Sequence, residues 1–134
     1  MINALEVVIQ YLKGAGLSTA NIASKHRYGN PWDVGSSGVA ARLDGGSPNL
    51  YMEVQPIRVE IRCFASSDVL ALELLNEIVE VSRSVNREEQ FVTGGTGLLY
   101  FFNPDSGPSL IFDPDLNMDV ALMFFSAQVS EKPI

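Results

Sequence analysis

Two unbroken apolar stretches constrain this chain more than anything else in it. Leu98, Leu99, Tyr100, Phe101 and Phe102 form one, and Ala121, Leu122, Met123, Phe124 and Phe125 form the other. Turn-forming residues precede each of them, at 94–97 and 113–117, so both read as strands. Successive side chains of a strand point to opposite faces, so strands of this composition need cover on both sides. A layer of helices covers only one side of a sheet. The other side then requires a long loop or another subunit. Burial of one phenylalanine is worth ~1.5–3 kcal/mol, so exposing several favours self-association over a lone monomer.

The remaining elements follow from periodicity. A helix is predicted over 4–13. Asn3 and Glu6 are spaced as a capping box, Ile2 and Val7 as a hydrophobic staple, and Leu5, Val8, Ile9 and Leu12 share one face. Gly14 and Gly16 end it. A second helix is predicted over 68–85, with Ser66, Ser67 and Asp68 as candidate caps. Ala71, Leu74, Leu75, Ile78, Ser82 and Val85 form its inner stripe, and Glu73, Glu77 and Glu80 its outer side. Over 57–64 the chain alternates: Ile57, Val59, Ile61 and Cys63 take one face, Arg58, Glu60 and Arg62 the other. Pro56 suggests an edge, a bulge or a break there. Further strands are predicted at Ile22 and over 39–43, 50–54, 98–102, 109–112 and 118–129, with turns at 44–46, 103–108 and 113–117. Residues 17–49 are the least regular part and contain Trp32. The order of helix, strands, helix, strands predicts an α+β fold, with two helices packed on a mainly antiparallel sheet in one domain spanning 1–134.

Composition narrows the function classes. Of 134 residues, 46% are hydrophobic and 19% charged, which predicts a folded domain. No apolar run approaches the roughly 18 residues of a membrane span, and no basic-then-apolar leader is seen, so neither a membrane partner nor a secretory signal is expected. Cys63 is the single cysteine, which rules out an intramolecular disulfide and a thiolate cluster. A net charge of −7 argues against a protein that wraps nucleic acid. It is compatible with a channel past which DNA slides without sticking.

The candidate chemistries each meet an objection. Asp113, Asp115, Asn117 and Asp119 alternate like the start of a calcium loop. Met118 stands where that loop needs glycine, and Phe124 where it needs its closing glutamate, so a polar turn is expected. The glycines at 94, 95 and 97 lack a Walker lysine, and a strand follows them, so they predict a turn and not a phosphate cradle. His26, the sole histidine, lies between Lys25 and Arg27 with no nucleophile motif nearby. The inward period of its strand makes Cys63 a small core residue. Trp32 is read equally as a loop anchor or as a residue entering a partner's pocket. Glu73, Glu77 and Glu80 read as a solvated helix face, with an acidic wall of a channel as the alternative. No catalytic residue, metal ligand or cofactor is expected.

One layout then stands out. The first helix ends in Leu12-Lys-Gly-Ala-Gly-Leu17. A variable loop leads to the strand Arg58-Val-Glu-Ile-Arg-Cys-Phe-Ala65, followed by an Ala/Leu-rich helix over 69–85. A strand, the Gly107-Pro108 turn, Phe112-Asp-Pro-Asp115 and a last long strand complete the chain. Over nearly its whole length this layout resembles the tail terminator, or tail completion, proteins of long-tailed bacteriophages. The resemblance implies a non-enzymatic virion protein, assembled in the host cytoplasm, that caps the head-proximal end of the tail tube as a hexameric ring. It implies the tail tube protein and the head connector or stopper as partners, with DNA passing through the channel without sequence-specific binding. Another neck component, a head-completion or stopper protein, and a ligand-binding α+β module are the alternatives.

From the residues themselves, the sheet face opposite the helices is expected to carry the subunit contact, with some of Phe101, Phe124 and Phe125 in it. Arg58, Glu60 and Arg62 are expected to pair across that contact. The loop with Trp32, or the turn with Gly94, Gly95 and Thr96, is expected to reach the tube or connector.

Overall fold

The computed structural model describes residues 4–19, 21–23, 37–46, 55–87, 92–94, 97–114 and 116–131. Two helices, α1 (Ala4–Lys13) and α2 (Asp68–Arg87), pack on a six-stranded sheet. Its strands are β1 (Ile22–Ala23), β2 (Gly38–Gly46), β3 (Gln55–Ala65), β4 (Val92–Gly94), β5 (Gly97–Asp113) and β6 (Met118–Glu131), in the spatial order β1-β2-β3-β6-β5-β4. β1 and β2 are parallel and every other pair is antiparallel. This is the expected α+β arrangement. Among the described residues no helix is long and apolar enough to cross a membrane.

Local chemistry sets the helix ends. Ser67 caps α2: its Oγ accepts from the Leu70 N–H at 3.2 Å and its carbonyl from the Ala71 N–H at 3.0 Å. α1 ends as the Gly14 N–H donates to the Gln10 and Tyr11 carbonyls at 3.2 Å each, and Gly16 takes a φ of 80°. The proposed cap residue Asn3 lies outside the described residues.

The core lies between the helices and one face of the sheet. Val7, Val8, Ile9 and Leu12 of α1 and the predicted inner stripe of α2 meet Val39, Val59, Ile61, Cys63, Leu99, Phe102, Ala121, Met123, Phe125 and Val129. Phe102 and Phe125 stack there with ring centroids 4.7 Å apart. Ser82, buried within the α2 stripe, donates its hydroxyl proton to the Val79 carbonyl at 2.6 Å. Beyond the core, the loop after α1 is tied to α2 by Glu77, whose carboxylate accepts from the Ser18 N–H at 2.8 Å and the Ser18 hydroxyl at 2.6 Å. Glu73 and Glu80 are exposed, as a solvated helix face requires.

Two expectations are corrected. Residues 103–108 are not a turn between two strands. β5 runs through them, paired to β6 on both sides of register shifts at Leu99/Phe101, Pro104/Ser106 and Ser106/Ser109. Bulges absorb the extra residues, and Gly107 makes this possible. It sits at φ 121°, and a Cβ there would meet the Met123 Cα at 3.1 Å. Likewise, residues 44–46 continue β2, with an irregularity between Leu43 and Gly46. Pro56, which suggests an edge, a bulge or a break, takes the edge position. It pairs with Gln128 of β6 beyond the last pair of the β2 ladder, Gly46 with Ile57, so its missing N–H breaks no ladder on that side. The strand predicted over 50–54 lies outside the described residues.

Candidate functional site

The face of the sheet away from the helices is built by parity. On β3, Val59, Ile61 and Cys63 point into the core, so Arg58, Glu60, Arg62 and Phe64 point away. Opposite them on β6 stand Ser126, Phe124, Leu122 and Val120. On β2, Ala40 pairs with Arg62 and Arg42 with Glu60. Three of the nine lysines and arginines of the chain, Arg42, Arg58 and Arg62, therefore share this face.

Arg58 occupies its centre. Its guanidinium stacks over the Phe124 ring, 4.4 Å from the centroid. Nη1 lies 3.5 Å from Asp44 Oδ2, and Nη2 donates to Ser106 Oγ at 3.4 Å. Nε lies 3.2 Å from Asp105 Oδ2 without hydrogen-bond alignment, so this contact is electrostatic. Arg62 pairs with Glu60 on the same strand. Arg58 and Arg62 thus engage carboxylates of this face within one copy. The paired residues stay partly exposed, so each pair is worth ~0–1 kcal/mol.

The outer end of this face is sheltered by the chain itself. Ala40, Phe64, Met118 and Val120 form a small second cluster, against which Leu116 packs. Leu116 is placed by the turn between β5 and β6, where its N–H donates to Asp113 Oδ1 at 3.2 Å and Asn117 takes a φ of 53°. That is the polar turn expected of the Asp-rich run. Asp115 lies outside the described residues, and no cluster of metal-binding side chains occurs among those described.

The expected contact residues separate into two groups. Arg58, Glu60, Arg62, Phe101 and Phe124 are half-buried, and the register sets all but Phe101 directly on the helix-free face. Phe101, which follows a register shift, is paired with Gln128 and flanks Arg58 in a shallow groove with Pro56 and Ser126. Phe125 does not belong with them. Its parity is that of Val59 and Met123, it is fully buried under the helices, and it cannot touch a neighbouring subunit. Gly94 ends β4 and pairs with Gly97. Gly95, Thr96 and Trp32 lie outside the described residues, as does the cluster of Lys25, His26 and Arg27.

Apolar side chains stay exposed elsewhere, at the start of α2 with Val69 and Leu70 and on β5 and β2. Leu110, Ile111 and Phe112 of β5 are 47%, 40% and 55% exposed, and Leu43 of β2 is 52% exposed. Sequence reasoning recognised 109–112 as a strand but did not single these residues out. The signal was present: three apolar residues in succession, between Ser109 and Asp113, cannot all turn inward from one strand. Beyond them, among the described residues, no strand pairs with the outer edge of β5 over 104–112.

Two other features lie away from this face. A cleft of about 280 Å³ is lined by Ser18, Ser37, Ser66, Leu70, Glu73 and Glu77, and in its wall the Ser18 hydroxyl donates to the Glu77 carboxylate at 2.6 Å. Cys63 is fully buried; burial first, and the nearby Glu77 second, push its thiol pKa far up, so the thiolate needed for reactivity is suppressed. No protein-family model matches the chain, and no curated protein matches it.

Proposed function

We propose that this chain is a structural, non-enzymatic subunit of a ring at the neck of a long-tailed bacteriophage virion. There it caps the head-proximal end of the tail tube, ends tube polymerisation and joins the tail to the head connector. The reading rests on the layout resemblance together with one observation: Leu110, Ile111 and Phe112 are exposed on β5, whose outer edge over 104–112 pairs with no strand among the described residues. Long apolar edges are an aggregation hazard that natural sheets blunt with charge, proline or cover. On β5 the bulges, Pro104, Asp105 and Pro108 blunt the edge over 104–108, while residues 110–112 carry no such device, which makes sense where a neighbouring copy completes them. The helix-free face suits the wall of a DNA channel, because Arg58 lies against Asp44 and Asp105 and Arg62 against Glu60, which lowers the basic character this face offers to the phosphates.

Native mass spectrometry of the purified chain tests the proposal. A six-fold species supports a tail ring, and a twelve-fold species indicates a connector-type neck component. A clean monomer at tens of micromolar overturns the ring and leaves a binding module built on the polar cleft as the better account.

A further inference from the structure

The two edges of the sheet are capped at opposite ends. β1 covers β2 only beside Val39 and Ala40, so residues 41–46 have no strand beyond them among the described residues. β4 covers β5 only over 97–99. From β2 through β3 and β6 to β5 the strand directions alternate without exception. Four alternating strands are an even number. A second copy standing in the same orientation therefore presents its β2 antiparallel to the β5 of the first. Copies that keep their orientation and meet through two different patches are what a cyclic ring requires.

The side chains select the register. Leu43 pairs with Val59, so it belongs to the helix-bearing face. Phe112 pairs with Asp119, which shares the parity of Ala121 and Met123, so it belongs to the same face. Arg42 and Asp113 belong to the opposite face, across from Glu60 and Met118. Setting Leu43 against Phe112 of a neighbour brings two half-exposed apolar side chains together. The same step sets Arg42 against Asp113 on the other face.

That register also fixes the stagger. Within one copy Leu43 is level with Val59 and Phe125, and Phe112 is level with Asp119 and Ala65. Adjacent copies are then offset by the six residues from Val59 to Ala65 of β3. Six residues are roughly 20 Å of slide across about 19 Å of four-strand width, a strand tilt of about 45°, close to the tilt at which sheets close into barrels. The same offset sets β4 away from β2, and sets β1, paired only at Val39 and Ala40, beyond the level of Asp113 where β5 ends.

We propose that β5 of one copy adds to β2 of the next in this register, joining the subunits through one continuous antiparallel sheet with the helices outside. The inference rests on the ring reading and names the surface that makes the ring.

Cysteine pairing tests it, because the native Cys63 is buried and inert. Leu43→Cys and Phe112→Cys are both surface substitutions. Co-expressed single variants should form disulfide-linked dimers at least tenfold faster than either variant alone, and the double variant should give a ladder ending at the ring number. A Leu70→Cys variant, exposed on α2, supplies the background rate. If Phe112→Cys alone dimerises as fast as the mixture, β5 pairs with itself and the head-to-tail joint is wrong. If native mass spectra show a ring that links no faster than the Leu70→Cys background, the joint lies elsewhere while the ring stands. If the unmodified chain is a monomer, the ring reading falls, and this inference with it.

Discussion

Phe125 shows how much a single position of parity decides. It lies next to Phe124 in sequence, yet Phe124 carries the Arg58 guanidinium on the helix-free face while Phe125 stacks on Phe102 in the core. Truncating Phe125→Ala should therefore cost ~3–5 kcal/mol, seen as a lowered urea midpoint with little change in slope. Phe124→Ala removes a half-buried ring and should cost less than half as much. Equal losses at the two positions would mean that the parity is wrongly assigned. Cys63 gives a second residue-scale expectation. With its thiolate suppressed and its side chain shut in the core, an aromatic disulfide reagent should label it only as fast as the protein opens. Labelling should become rapid in denaturant. Fast labelling of the native protein would contradict the burial of β3.

At the scale of elements, the legible features were those whose pattern is local. The α1 span Ala4–Lys13 and the α2 stripe from Ala71 to Val85 follow from spacing and caps alone, and both are found as expected. The alternation of Arg58, Glu60 and Arg62 likewise put them on the right face. The region from 103 to 108 was illegible for a specific reason. Asn103, Pro104, Asp105, Gly107 and Pro108 carry turn chemistry, but the ladder to β6 overrides it, and bulges absorb what propensity would have turned. The assignment of Phe125 failed for a related reason. An unbroken apolar run says that both faces are filled, not which residue takes which face, and the Leu99/Phe101 shift changes the parity within β5 itself. The surface proposed for assembly was hidden by the same false turn, which made Leu110, Ile111 and Phe112 look like a minor strand. Phe112→Asp, made on a side chain already 55% exposed, should leave the urea midpoint within about 0.5 kcal/mol of the parent while abolishing higher species in native mass spectra. A variant that keeps its ring would show that this edge is not the contact.

For the whole molecule, two forces compete at any joint between copies. Each copy carries a net charge of −7, so assembly gathers like charges. Against this stand the apolar residues at the edges of β5 and β2 and a single opposite-sign pair, Arg42 with Asp113, per joint. A solvent-exposed ion pair is worth ~0–1 kcal/mol, and one buried apolar side chain ~1.5–3 kcal/mol, so the apolar contacts dominate the attraction and the net charge dominates the electrostatics. The two components respond to salt in opposite ways. Raising ionic strength from about 0.1 M to 1 M shortens the screening length from ~10 Å to ~3 Å, which removes the repulsion between whole copies and leaves apolar burial intact. Sedimentation velocity at fixed protein concentration should therefore show the ring gaining population as sodium chloride is raised over that range. Arg42→Ala should shift the curve only slightly, because the pair it removes is the smaller component. A ring that dissociates in high salt would mean that ion pairs hold the joint, and the weight placed on Leu43, Leu110, Ile111 and Phe112 would be misplaced.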